Sequence, residues 1–379
     1  MPRKEFPSYW LENVVGQNQL KYWVGFTYLQ NIGPARFSKL RKAFPSLEQA
    51  WHAPLSKLEE LGFTENALSE FIRVRREINL DQELEKLEKE NISVVTIDDE
   101  AYPKLLKEIY YPPFLLYCRG ALPGHEEFLL AVVGSRKYST YGRQMAQRLV
   151  SGLAQNGLTI VSGLALGIDG IAHETALESN TKTIGVLGCG IERSNIYPAS
   201  NRMLGERIIE RGGCIISEHP LGTPPFKSNF PRRNRIIAGL ALGTLVIEAA
   251  EKSGALITAS HALEQNRDVF AVPGNATNES SVGTNNLIKQ GARPVTDAGE
   301  ILESLNLKQA TDYLSVQKII PENPEEEAVL AHLKHEPMHV DTLARLTKLP
   351  IRAINATLTM MEMKGKIKNL GAMKYALAR

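Results

Sequence analysis

The sequence predicts an α/β protein with a mostly parallel sheet in the middle of the chain. A small helical module precedes the sheet, and a module of three helices and two strands follows it. Three observations carry this. Between about residues 91 and 308, short β-branched or apolar runs alternate with amphipathic stretches and glycine-rich junctions, the rhythm of βαβ units. Before residue 90, apolar residues recur at helical spacing rather than alternating. After residue 324, three amphipathic stretches lead into two short strand-like runs.

In the first region, 1–90, Trp23, Phe26, Leu29 and Ile32 mark one helix, Gly33-Pro34 breaks it, and Arg36–Phe44 begins another. A second turn falls at Leu61-Gly62-Phe63. Short helices joined at repeated glycine turns resemble helix-hairpin-helix or sterile-alpha-motif (SAM) modules. In the hairpin type, turn amides can hold a DNA phosphate; the same pattern also suits a module that only packs. In the second region, 91–308, the expected strands are Ile92–Ile97, Leu129–Val133, Thr159–Val161, Thr183–Leu187, Cys214–Ser217, Gly243–Ile247 and Val269–Val272. Helical patterns such as Gly142–Gln155 and Ile168–Glu178 lie between them. Residues 309–323 read as a linker. In the last region, 324–379, helices at Glu325–Lys334, Asp341–Leu346 and Ile351–Lys364 with strands at Gly365–Leu370 and Met373–Ala376 describe a winged helix. Its recognition helix carries only Arg352 and Lys364 as basic groups, beside Glu362, which suits a protein contact at least as well as DNA.

Composition narrows the function. The 379 residues are 43% hydrophobic and 23% charged, an ordinary globular balance. The longest apolar run, Phe128–Val133, is far short of the ~20 residues that span a bilayer. No signal core follows the N-terminus, so a cytoplasmic protein without membrane partners is expected. Cys118, Cys189 and Cys214 lack CxxC spacing, which argues against a disulfide scaffold and a cysteine zinc site. Net charge is +2, spread as −1 over 1–124, 0 over 125–305 and +3 over 323–379. A polyanion partner would therefore need a local cluster of basic groups.

Such clusters lie at the strand ends. Gly134-Ser135-Arg136-Lys137, Ser162–Asp169, Gly188-Cys189-Gly190 and Ser253-Gly254-Ala255 are small-residue turns into helices, where free N–H groups favour an anion. Neither the dinucleotide fingerprint nor the P-loop is complete, so NAD and ATP are unsupported and no cofactor or metal is expected. Lys227, Arg232, Arg233 and Arg235 fall within nine positions that hold no acid, with Phe230 among them. Basic groups for phosphates and an aromatic face for a base are the means by which single strands are held. Ion pairing by the arginines, with Phe230 in the core, is the competing interpretation.

An enzyme would need a nucleophile, a base or a metal. Neither HExxH nor GxSxG occurs. Asp169 and His173, at i and i+4, form either a catalytic pair or the ordered start of a helix. Glu248, after Gly243-Thr244-Leu245-Val246-Ile247, is the strongest catalytic candidate and is similar to its counterpart in phosphoribohydrolases, whose fuller signature is absent. A nucleotide N-glycosidase built on Glu248, and a transcription regulator acting through the winged helix, are the alternatives to nucleic-acid handling.

The motifs Gly134-Ser135-Arg136, Ser162–Asp169, Gly188-x-Gly190 with Tyr197-Pro198, Ser217-Glu218-x-Pro220 and Phe230–Leu240 occur in that order. They continue as Val246–Ala250, Ser253–Ala259, Ala271–Gly274 and Gly283–Ile288. This series closely resembles the DNA-processing protein A (DprA, or Smf) family of bacterial transformation proteins. The resemblance implies an extended Rossmann-like domain that binds single-stranded DNA, forms a homodimer and loads RecA recombinase onto incoming DNA, without enzymatic activity. Carried over by position, Arg136 and Lys227 match basic DNA contacts and Phe230 an aromatic that meets a base. Gly134, Ser135, Ser162 and Gly163 belong to the implied DNA-binding turns, and Arg233, Asn234 and Arg235 to the family's most recognisable motif. Leu166 stands where members often carry Arg or another polar residue. Leu287–Leu302 matches the family's dimer surface, with Leu287, Ile288 and Val295 as its apolar candidates.

Overall fold

The computed structural model describes residues 17–307, 323–333, 337–364, 366–371 and 373–377; the linker expected at 309–323 falls almost wholly outside them. The chain divides into two compact units, Met1–Ile301 and Leu302–Arg379.

The first unit begins with six helices, α1 (Gln17–Thr27), α2 (Pro34–Ala43), α3 (Leu47–His52), α4 (Leu55–Glu60), α5 (Glu65–Glu77) and α6 (Leu80–Lys89). Their boundaries follow local chemistry. Pro34 opens α2, Ser46 caps α3 through the Gln49 N–H, and Asn79 caps α6 through the N–H groups of Asp81 and Gln82. Trp23, Phe26, Phe37, Trp51 and Phe71 are all buried and meet edge-on, tilted or stacked. At the first hairpin turn, the Glu70 carboxylate accepts the backbone N–H groups of Gln30 and Asn31, each at 2.9 Å. Two amides of the turn thus already hold an anion from the protein itself.

The sheet follows as β1 (Ser93–Thr96), α7 (Lys104–Lys107), β2 (Leu115–Gly120), β3 (Leu129–Val133), α8 (Thr140–Gln155), β4 (Thr159–Ser162) and α9 (Ile168–Glu178). It continues through β5 (Thr183–Leu187), α10 (Arg202–Glu210), β6 (Cys214–Ser217), α11 (Asn229–Leu240) and β7 (Gly243–Val246). The last pieces are α12 (Gly254–Glu264), β8 (Asp268–Ala271), α13 (Val282–Lys289), β9 (Arg293–Pro294) and α14 (Ala298–Ser304). Nine strands lie in the order β1-β2-β6-β5-β4-β3-β7-β8-β9. β1–β2 and β2–β6 are antiparallel and every other pair is parallel.

Alternation along the strands separates two cores. Leu115, Tyr117, Leu187 and Ile215 face the helical module, whose aromatic cluster is continuous with that side of the sheet. Leu116, Cys118, Val186 and Ile216 face the other side, with Ile236 and Ile237 of α11 and Ala259 of α12. Phe37 of the helical module stacks on Phe114 with ring centroids 3.8 Å apart, and Thr27 and Tyr117 share a 2.7 Å hydrogen bond. The three cysteines are free and buried.

Chain order places the site. β3 is central; the chain steps outward through β4, β5 and β6, then returns to lay β7 on β3's other side. Between β3 and β7 lies the switch point, beyond whose carboxyl ends ligands bind in open parallel sheets.

The second unit contains α15 (Pro324–Leu333), β10 (Met338–His339), α16 (Val340–Thr347), α17 (Ile351–Met363), β11 (Ile367–Asn369) and β12 (Lys374–Leu377). The strands pair as β10-β12-β11, and Val329, Leu330, Leu343, Ile354, Leu358 and Met361 form a separate core. This is the expected winged helix, with β10 added. Arg352, Asn355, Thr359 and Met363 lie exposed along α17. Among the described residues no helix is long and apolar enough to cross a membrane.

Candidate nucleic-acid interface

Glycine geometry brings the β3 and β4 loops together. Gly167 has φ of +83°, and a Cβ there would stand 2.7 Å from the Arg136 Cα, so only glycine serves. The Ile168 N–H then donates to the Ser135 carbonyl at 3.2 Å, fastening the start of α9 to the Gly134-Ser135-Arg136 turn. Ser135 is used internally, its hydroxyl donating to the Lys137 carbonyl at 2.6 Å, while Arg136 and Lys137 project into solvent.

Beneath this surface is a buried polar floor. The Ser162 hydroxyl donates to the Val132 carbonyl at 2.6 Å, and the Gly163 N–H donates to Asp169 Oδ2 at 3.1 Å. Arg233 is 4% exposed, and its Nη1 donates to the carbonyls of Gly163, at 2.6 Å, and of Val186. Burial lowers its guanidinium to about 10, with Asp169 opposing the shift. Burial also raises the Asp169 carboxyl, against Arg233 and the Ala165 and Gly163 N–H groups. The expected cluster of basic groups is therefore divided: Arg233 braces the ends of β4 and β5 from inside. Arg235 is half-buried and pairs with Glu218 at 2.5 Å, and Asn234 Nδ2 donates to the Gly254 carbonyl at 3.3 Å. Lys227 and Arg232 are exposed.

Phe230 is half-buried in the first turn of α11 and leans on Gly188, where a Cβ would meet its ring at 3.2 Å. The Arg136 guanidinium stands 6.0 Å from the ring centroid and that of Arg233 5.9 Å. Tyr197 comes within 5.8 Å, ring to ring. The rim beyond β3 and β4 thus places the exposed Arg136 and Lys137 beside the half-buried Phe230 ring, over turns that lead into helices. Nothing in the local sequence distinguishes an exposed tyrosine at 197 from a buried one. Its place in the Tyr197-Pro198 pair becomes informative only once Phe230 is placed beside it.

The catalytic candidates make their hydrogen bonds within the fold. Asp169 and His173 do not pair; His173 Nδ1 meets Thr183 Oγ1 at 2.7 Å, and burial lowers the imidazole to about 3. Glu248 is 2% exposed and accepts the Ser139 N–H at 2.8 Å, at the entry to α8, while its backbone carbonyl accepts the Ser135 N–H at 2.7 Å. Of the dimer candidates, Leu287 and Val295 are buried within the protomer at 8% and 2% exposure, and Ile288 is half-buried.

Comparison with known proteins matches this geometry to a family. Residues 93–306 match the family model described as DNA recombination-mediator protein A, and residues 315–373 match the DprA winged helix domain. Protein Smf of Synechocystis sp. is 35% identical over 95% of this chain and 99% of its own. The crystal structure of DNA processing protein A from Streptococcus pneumoniae superposes with a TM-score of 0.64 at 35% identity, covering 75% of this chain and 97% of that one. DNA processing protein A from Helicobacter pylori, whose structure was described for its single-stranded DNA binding mode, gives a TM-score of 0.50 at 31% identity, over 57% of this chain and 95% of that one. With its sheet, its winged helix and nearly the whole length of a relative matched, the chain belongs to the DNA-processing protein A (DprA/Smf) family.

Proposed function

We propose that this protein binds single-stranded DNA along the carboxyl rim of its parallel sheet and hands the strand to RecA recombinase, protecting incoming DNA during processing. The observation that carries this reading is the half-buried Phe230 ring with the exposed Arg136 guanidinium 6.0 Å from its centroid. A base stacks on the ring while the cation takes a neighbouring phosphate. Lys227 and Arg232 extend the positive track; Ser162, Gly163 and Arg233 hold its floor in shape. Asn234 and Arg235 tie the middle of α11 to Gly254 and Glu218. Dimerisation through the 287–302 segment, with Ile288 as its accessible apolar residue, links two such sites and raises affinity for long strands. The Helicobacter pylori relative's single-strand binding and the family membership support the assignment.

The test is a titration of the full chain with a single strand and with blunt duplex of the same sequence. Single strand is bound more tightly, without sequence preference, and the log–log salt slope is about −2 to −3 for ~3–4 phosphate contacts. Equal affinity for duplex sinks the reading. Nucleoside monophosphates incubated with the protein release no free base; release that is abolished by Glu248→Gln would replace this proposal with the glycosidase.

A further inference from the structure

Tyr197 is 48% exposed, and it sits on a segment that is otherwise firmly held. Ile196, just before it, is buried, and its carbonyl accepts Arg202 Nε at 3.2 Å. Asn195 Nδ2 donates to the Thr223 carbonyl at 2.5 Å, and Asn195's own carbonyl accepts the Cys189 thiol at 3.4 Å. Asn201 Nδ2 donates to the carbonyls of Leu164 and Ala165, both at 3.0 Å, latching this segment to the β4–α9 loop that floors the phosphate site. An exposed ring on so constrained a backbone is a preformed surface, and binding to it costs little ordering entropy.

The ring lies beside Phe230 with centroids 5.8 Å apart and planes 47° from parallel. We propose that Tyr197 forms a second base-stacking subsite, taking the base next to the one on Phe230. The inference rests on the reading that a single strand lies on this rim. Because the two rings are tilted, bases lying on them cannot stack on each other, so the strand crosses this point with neighbouring bases splayed apart. Paired bases in a duplex cannot turn in this way, and the step therefore selects single strand by geometry. Stacking is tolerant of base identity, since every base offers a π-face.

The experiment uses the full chain and a short oligothymidylate, read by fluorescence anisotropy, with thermal melting of each variant as a control for folding. Tyr197→Ala weakens binding roughly 5- to 100-fold, the range for losing one base–aromatic stack, while Tyr197→Phe is little changed. Tyr197→Trp adds a direct signal: its fluorescence is quenched by the oligothymidylate and not by an abasic strand of equal length. Wild-type affinity in Tyr197→Ala alongside weakened binding in Phe230→Ala overturns the second subsite and leaves the rim reading standing. Wild-type affinity in both variants overturns the rim reading as well. Should Tyr197→Ala fail to fold, the Tyr197→Trp signal decides: quenching by bases upholds the subsite, and its absence removes it.

Discussion

Replacing Arg136 and Arg233 in turn separates binding from bracing. Arg136→Ala removes an exposed guanidinium, so the melting temperature holds while single-strand affinity falls. Arg233→Ala strips the carbonyls of Gly163 and Val186 of their donor and leaves the buried Asp169 without its compensating charge. Breaking a buried charged partnership costs about 3–5 kcal/mol, so this variant shows its defect first in denaturant titration. An undiminished midpoint in Arg233→Ala would show that the floor does not depend on it. The sequence makes the run from Lys227 to Arg235 legible as a basic cluster but not which members point outward. The clue is helical register: Arg233 lies three and four positions before Ile236 and Ile237, on the face α11 buries. A charge on that face contradicts the hydrophobic pattern, and only the strand-end carbonyls it meets resolve the conflict. Tyr197 fails in the opposite sense, since exposure of an aromatic is a tertiary property with no local signature.

At the level of elements, α9 carries a pH dependence and α13 a test of assembly. His173 is buried neutral, its folded value near 3 against 6.5 when unfolded. Between those values the unfolded chain binds more protons, so stability rises with pH through this window and is lost as pH falls below about 6.5. The slope approaches 1.4 kcal/mol per unit. Denaturant midpoints measured between pH 7.5 and pH 5 decline less steeply in His173→Gln than in the native chain; parallel declines would remove His173 as the cause. On α13 and just past β9, Val295→Arg buries a charge and destabilises the protomer, whereas Ile288→Arg folds and yields monomers by light scattering. A folded dimer in Ile288→Arg moves the interface elsewhere. Most strands and both central helices follow from the alternation of apolar runs with glycine turns. β2 does not, although Phe114–Cys118 is an apolar run bounded by Pro112-Pro113 and Gly120. It pairs antiparallel and interrupts the βαβ rhythm, so the pattern that reveals its neighbours passes over it. β9, two residues long, is too short to leave a pattern at all.

For the whole molecule, near-neutral charge means that attraction to DNA is local rather than global. Arg136 and Lys137 stand exposed beyond β3, and Lys227 and Arg232 stand exposed around the start of α11. The winged helix has its own core; its α17 carries one exposed arginine, while Arg345, Lys348, Lys368 and Lys374 are exposed elsewhere on it, and the proposal predicts that its share of strand affinity is small. The proposed DNA-binding surface is therefore the rim rather than the winged helix, and a single titration distinguishes them most directly. Residues 1–308 and the full chain are each titrated with a labelled single strand at fixed salt. Equal affinity within experimental scatter is the predicted result. Loss of binding by a folded 1–308 fragment, with affinity recovered in residues 323–379 alone, would contradict it.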